Sequence, residues 1–146
     1  VRILFLYQGE KTMTVETKLD VIPEIKNLLE DLCAVSGINC VIRNNRATVE
    51  IFFNQPGENE VRFLDGWGTI ASPNHHIHFR SDGLRSLRFF DEAGECVGRS
   101  TSMAIYNEQG EECLRFYFAN ETHTYQEWTA EELNHFENFK AKYAFL

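Results

Sequence analysis

Apolar residues recur at Ile22, Ile25, Leu28, Leu29, Leu32 and Cys33 with a period near 3.6, the spacing that puts one stripe of a helix against a core. Pro23 suits the first turn and Gly37 the end, which predicts a helix over residues 21–36. Beyond it the period shortens to two. The runs INCVIR, ATVEIFF, EVRFL, HHIHFR, LRSLRFF, SMAIY and CLRFYF are rich in β-branched and aromatic residues, and turn-forming stretches such as RNNR, NQPGEN, SDG, DEAG and NEQG separate them. About seven strands are predicted. The gaps leave no room for crossover helices, so pairing is expected to be antiparallel. Two turns repeat a pattern, RFFDEAGEC and AIYNEQGEE. In each, Asp91 or Asn107 is expected to accept local backbone bonds while Gly94 or Gly110 takes a positive φ.

Helical spacing returns near the C-terminus. Thr129 and Glu132 have the T-x-x-E spacing of a capping box, and Trp128 is placed to staple onto Leu133. The plan is α+β: an antiparallel β-sheet of about seven strands, preceded by an N-terminal helix and followed by C-terminal helices. At 146 residues the chain suits one domain with one core, residues 1–146, with 1–12 read as an extension and Met13 as a candidate start of the folded unit.

Composition narrows the function classes. A formal net charge of -8 argues against binding a nucleic-acid backbone, which draws on clustered Lys and Arg. The apolar opening is too short for a secretory core or a membrane span. Cys33, Cys40, Cys96 and Cys113 show no C-x-x-C pair and no zinc spacing, so buried thiols in a reducing cytoplasm are expected. The chain carries no G-x-S-x-G, H-E-x-x-H, P-loop or G-x-G-x-x-G signature, and the reading leans away from an enzyme.

The candidate chemistry clusters in HHIHFR. Read as a strand, it puts His75 on one face with Ile77 and Phe79, and His76, His78 and Arg80 on the other. His76 and His78, two residues apart on one face, can reach a common metal ion or flank a flat ligand. A further ligand would have to come from His123, His135, a carboxylate or a cysteine. Alternatively these imidazoles simply line a half-solvated sheet. The cations between Lys26 and Lys140 are all arginine, a residue suited to carboxylates and flat aromatic systems, although cross-strand support by Glu is the competing account. The stretch DGWG, Asp65 to Gly68, reads as a tight turn whose Trp67 packs against or lids a cavity.

From Pro73 to about Glu127 the chain resembles the haem-utilisation proteins of the HemS and ChuX type. The resemblance is carried by HHIHFR, by TSMAIYNEQGEECLRFYF and by the Glu/Trp-rich tail YQEWTAEEL, the hairpin followed by the tail being its most specific part. It implies a mainly antiparallel sheet with flanking helices, a cytoplasmic setting, and binding of haem for intracellular utilisation or trafficking. A single repeat of this length is similar to the ChuX-type proteins, which pair as homodimers. The resemblance carries over His78 first. His75 and His76 stand beside it as haem-binding candidates, with Arg80, Arg88 and Arg115 as propionate partners. The alternatives are a haem-degrading enzyme, or a small-ligand or protein-interaction module on the same fold.

Overall fold

The computed structural model describes residues 13–18, 22–35, 37–53, 57–94, 98–118 and 130–144. In chain order the elements are β1 (Met13–Lys18), α1 (Ile22–Cys33), β2 (Ile38–Arg43), β3 (Thr48–Phe53), β4 (Glu60–Leu64), β5 (Trp67–Ala71), β6 (His76–Arg80), β7 (Leu84–Gly94), β8 (Gly98–Asn107), β9 (Glu112–Tyr117) and α2 (Ala130–Tyr143). The strands form two sheets. One has six strands in the order β1-β7-β8-β9-β2-β3, the other three in the order β4-β5-β6, and every pairing is antiparallel.

The α+β class, the antiparallel pairing and the N-terminal helix are as the sequence pattern predicts. The strand count differs: nine strands are described, in two sheets rather than one meander. β1 has only two apolar residues among six and takes its place through β7, with Val15 opposite Phe89. β5 begins within the stretch DGWG that reads as a tight turn. There Asp65 (φ 50°) and Gly66 (φ 78°) make a two-residue turn between Leu64 and Trp67, and positive φ at both positions is the type I′ geometry that matches strand twist. Trp67 therefore begins a strand.

Of the two repeated turns, NEQG behaves as expected. The Asn107 side-chain oxygen accepts from the backbone N–H groups of Gln109 (3.0 Å) and Glu111 (2.8 Å), and Gly110 has φ 78°. Asp91 is instead a strand residue of β7, opposite Thr101. The turn itself falls at residues 95–97, outside the described residues. Trp128 and Thr129 of the expected cap also lie outside them, and one C-terminal helix, α2, is described.

Both helices and the inner faces of both sheets meet in one core. Ile25, Leu28, Leu29 and Leu32 of α1 are buried, as the stripe requires, and join Ile38 and Cys40 of β2, Leu87 and Phe89 of β7, Met103 and Ile105 of β8 and Leu114 and Phe116 of β9. Val61, Ile70, Ile77 and Phe79 bring in the smaller sheet. Burial raises the Cys33 thiol to about 11 and the Cys40 thiol to about 12, so both are inert apolar fillers.

A polar tie links the helices at their ends. Asp31 of α1 accepts hydrogen bonds from Lys142 Nζ (2.6 Å) and from the Tyr143 hydroxyl of α2. Burial works against the carboxylate, but these donors outweigh it and hold Asp31 below its usual range; burial and the same contact push the Tyr143 hydroxyl upward. Tyr143→Phe is expected to lower stability by about 1 kcal/mol, the order of a hydrogen bond to a part-exposed charged group. Urea unfolding checks it, and Asp31→Asn in the Tyr143→Phe background should then cost less than in the native protein.

Candidate functional site

His75 is positioned by the turn that joins β5 to β6. Pro73 fixes φ at the second turn position, and the ends close on each other: Ser72 N–H donates to the His75 carbonyl at 2.9 Å, the Ser72 hydroxyl donates to the same oxygen at 3.1 Å, and His75 N–H donates to Ser72 Oγ at 3.3 Å. The imidazole is half-buried and tilts against Phe53 with centroids 5.6 Å apart. It lines a cavity of about 230 Å³ with Phe52, Phe53, Asn59, Ser72, Pro73 and Asn74. Its Nε2 is buried and has no hydrogen-bond partner. A buried polar atom left in that state costs about 1–3 kcal/mol, so the site is one a ligand can stabilise.

β6 then alternates as the pattern predicts. Ile77 and Phe79 point into the core while His76, His78 and Arg80 are exposed. The His76 and His78 rings stand perpendicular, centroids 6.0 Å apart. Thr69 of β5, opposite His78 in register, puts Oγ1 3.0 Å from His78 Nδ1. Arg80 lies over the Trp67 ring at 5.0 Å and holds Asp82 with Nε to Oδ1 at 2.8 Å. Trp67 is 45% exposed, so it stacks on Arg80 rather than closing a cavity.

Arg88 and Arg115 belong to the other sheet, on the face turned away from Leu87, Phe89, Leu114 and Phe116. Arg115 is only 12% exposed. It donates to Glu112 Oε2 from Nη2 (2.7 Å) and Nε (3.0 Å) and to Ser102 Oγ from Nη1 (3.0 Å), and it lies over the Phe90 ring at 4.3 Å. The Tyr106 hydroxyl donates to the same Glu112 oxygen at 3.3 Å, and Arg88 covers the Tyr106 ring at 4.2 Å. The six candidates therefore occupy three places: His75 at the cavity, His76, His78 and Arg80 on the outer face of the small sheet, and Arg88 with Arg115 on the large one.

Sequence reasoning missed Thr69, Tyr106 and Glu112 as neighbours of these groups and counted Phe52 and Phe53 only among the rings that build a core or wall a pocket; cross-strand register brings Thr69 to His78, and Phe53 reaches His75 from the other sheet. A second cavity of about 290 Å³ lies between the helices, where His135 joins Asp31, Phe139, Lys142 and Tyr143. His123 lies outside the described residues. Among the described residues no group of three or more His, Cys, Asp or Glu is gathered to hold a metal ion.

Glu112 carries a pH prediction. Burial opposes its ionisation, yet Arg115, Arg43 and Tyr106 together hold its carboxyl below the usual 4.5. A carboxyl depressed in the folded state contributes stability that is complete above the unfolded value and is lost as pH falls through the folded one. Unfolding free energy measured from pH 7 down to pH 3 is thus expected to fall below pH 4.5 by about 1 kcal/mol more in the native protein than in Glu112→Gln.

The fold matches solved structures closely. ChuX, described as a heme binding protein, superposes with a TM-score of 0.69 at 10% identity, covering 88% of this chain and 76% of its own. PhuS, a heme-binding protein from Pseudomonas aeruginosa, matches in its holo form with a TM-score of 0.66 at 17% identity, over 86% of this chain and 35% of PhuS. ChuS, an E. coli heme oxygenase, gives 0.62 at 18% identity, over 88% of this chain and 36% of ChuS. At such identities these likenesses speak for the fold. No curated protein sequence matches the chain. A family model, however, matches residues 26–146. With that model spanning most of the chain, and the architecture matching as it does, the chain has the ChuX-like fold.

Proposed function

We propose that this protein binds haem for intracellular haem utilisation or trafficking, with His75 as the imidazole that meets the iron. One observation carries the reading: His75 lines a cavity flanked by Phe52 and Phe53, and its Nε2 is buried without a hydrogen-bond partner. These residues fit the group. A neutral imidazole is a good axial donor, and phenyl rings suit the face or edge of a macrocycle. Bound haem would supply iron with a coordination position for that nitrogen.

The cavity, about 230 Å³, is smaller than the roughly 300–1,000 Å³ typical of sites that enclose a drug-sized ligand. It suits one edge of a porphyrin, and a second copy of the chain completes the enclosure in this reading. The homodimer accords with the chain spanning about a third of PhuS and ChuS. Among the propionate candidates Arg80 has an exposed ion pair with Asp82 that is readily exchanged, but it lies on the face of β6 opposite His75. Contact at Arg115 would first have to displace Glu112. His76 and His78, on the opposite face of β6 from His75, are secondary candidates for the iron.

We place the protein in the cytoplasm. Cys33, Cys40 and Cys113 are free thiols, and among the described residues no helix is long and apolar enough to cross a membrane. The net charge of -8 supports a function without nucleic acid.

Haemin titrated into the protein is expected to give a Soret band that saturates at stoichiometric haemin, with light scattering reporting two chains per particle. No band at stoichiometric haemin would refute the reading.

A further inference from the structure

We propose that His76 and His78 form a two-imidazole chelate for a divalent late transition-metal ion on the outer face of the three-stranded sheet, separate from the haem site. The pair stands two residues apart on one face of β6, both side chains exposed, with ring centroids 6.0 Å apart. Exposed imidazoles turn between staggered rotamers at little cost. Small rotations therefore bring one nitrogen of each to the 2.0–2.1 Å that a zinc-type ion requires, roughly the value for its class.

Thr69 supplies the second observation. Its hydroxyl oxygen sits 3.0 Å from His78 Nδ1. When Nδ1–H donates to that oxygen, the proton is kept off Nε2, and the lone pair of Nε2 faces outward in the position for a ligand. An outer hydrogen bond of this kind fixes the tautomer and raises the basicity of a metal-binding imidazole. The cation in the same cross-strand row, Arg62 opposite Thr69, is held by Glu60 with Nε to Oε1 at 2.6 Å, so it does not present an uncompensated charge. The overall charge of -8 favours approach of a cation.

Two imidazoles leave the remaining coordination positions to water. Imidazole donors suit copper, nickel and zinc, and copper(II) binds most tightly of the three at a site without imposed geometry. His75 lies across the strand, on the inner face, so this site and the proposed iron ligand share no side chain.

The test is calorimetric titration of the haem-free protein with Cu2+ and, separately, Zn2+. The expected result is one Cu2+ per chain, bound more tightly than Zn2+. His76→Ala and His78→Ala should each weaken Cu2+ by about tenfold or more, Thr69→Val by about tenfold, and Thr69→Ser and His75→Ala not at all. Equal Cu2+ affinity in the native protein and the His76→Ala/His78→Ala variant would overturn the proposal, as would failure of the native protein to take up Cu2+. An unchanged affinity in Thr69→Val would overturn the orienting role of Thr69. Should a variant not fold, paramagnetic broadening by Cu2+ in the native protein decides the matter. Amide signals of residues 76–78 and 69 are expected to vanish first, and broadening centred elsewhere contradicts the site. Loss of haem binding in His75→Ala with Cu2+ binding intact separates the two sites.

Discussion

Phe136→Ala is expected to lower the unfolding free energy by about 3–5 kcal/mol, the range for emptying the site of a buried phenyl ring. Phe136 is 1% exposed and joins α2 to the large sheet through rings on both sides, Phe89 at 6.0 Å and Phe118 at 5.5 Å. Phe139 adds a second contact to Phe118 at 5.2 Å. A cavity there cannot collapse without moving a helix or a strand. Since a domain of this size is stabilised by only about 5–15 kcal/mol in total, the variant should remain folded but fragile. Hydrogen exchange should show the amides of α2 losing protection before those of β8. A loss below about 1 kcal/mol would mean that the ring is not the clamp described here.

Gly68→Val is expected to cost about 3 kcal/mol, at the upper end for overfilling a packed position. Gly68 lies between Phe63 and Phe79 in cross-strand register, and the Phe79 ring lies across its Cα to meet Phe63 edge-on at 6.0 Å. A Cβ placed on Gly68 would fall 2.2 Å from Phe79 Cζ, so the ring must leave its place. Phe79 is 7% exposed and has nowhere near to go. Because the conflict is with one ring, Gly68→Ala should cost clearly less in a Phe79→Leu background than in the native chain. Equal costs in both backgrounds would put the strain elsewhere.

These two positions also mark what could and could not be read in the chain. The α1 stripe was legible because burial of Leu28, Leu29 and Leu32 demands the 3.6 period, and the strands from β2 to β9 that carry alternating β-branched and aromatic residues were legible for the same kind of reason. β5 was not. Its WGTIA is the central strand of the small sheet, paired with β4 on one side and β6 on the other, which no local pattern announces. β1 escaped because an edge strand with two apolar residues gains its order from β7. The division into two sheets is a matter of which strands pair across long sequence separations, β2 with β9 above all, and periodicity is silent on that.

For the candidate site, the alternation in HHIHFR is enough by itself to separate His75 from His76 and His78. What periodicity could not supply was the company each residue keeps. Phe53 comes to His75 from a strand more than twenty positions away, and Glu112 claims Arg115 through the shifted register where β8 meets β9. Shared charge and strand placement grouped Arg88 and Arg115 with Arg80, whereas the fold sets them on a different sheet.

One imidazole, that of His75 in the turn leading into β6, is proposed to receive the iron. The most direct measurement is the absorbance spectrum of the protein reconstituted with one equivalent of haemin, compared among His75→Ala, His76→Ala and His78→Ala. The expected result is a displaced or lost Soret band in His75→Ala alone, with the other two matching the native spectrum. A His75→Ala protein whose spectrum and haemin affinity equal those of the native chain would contradict it.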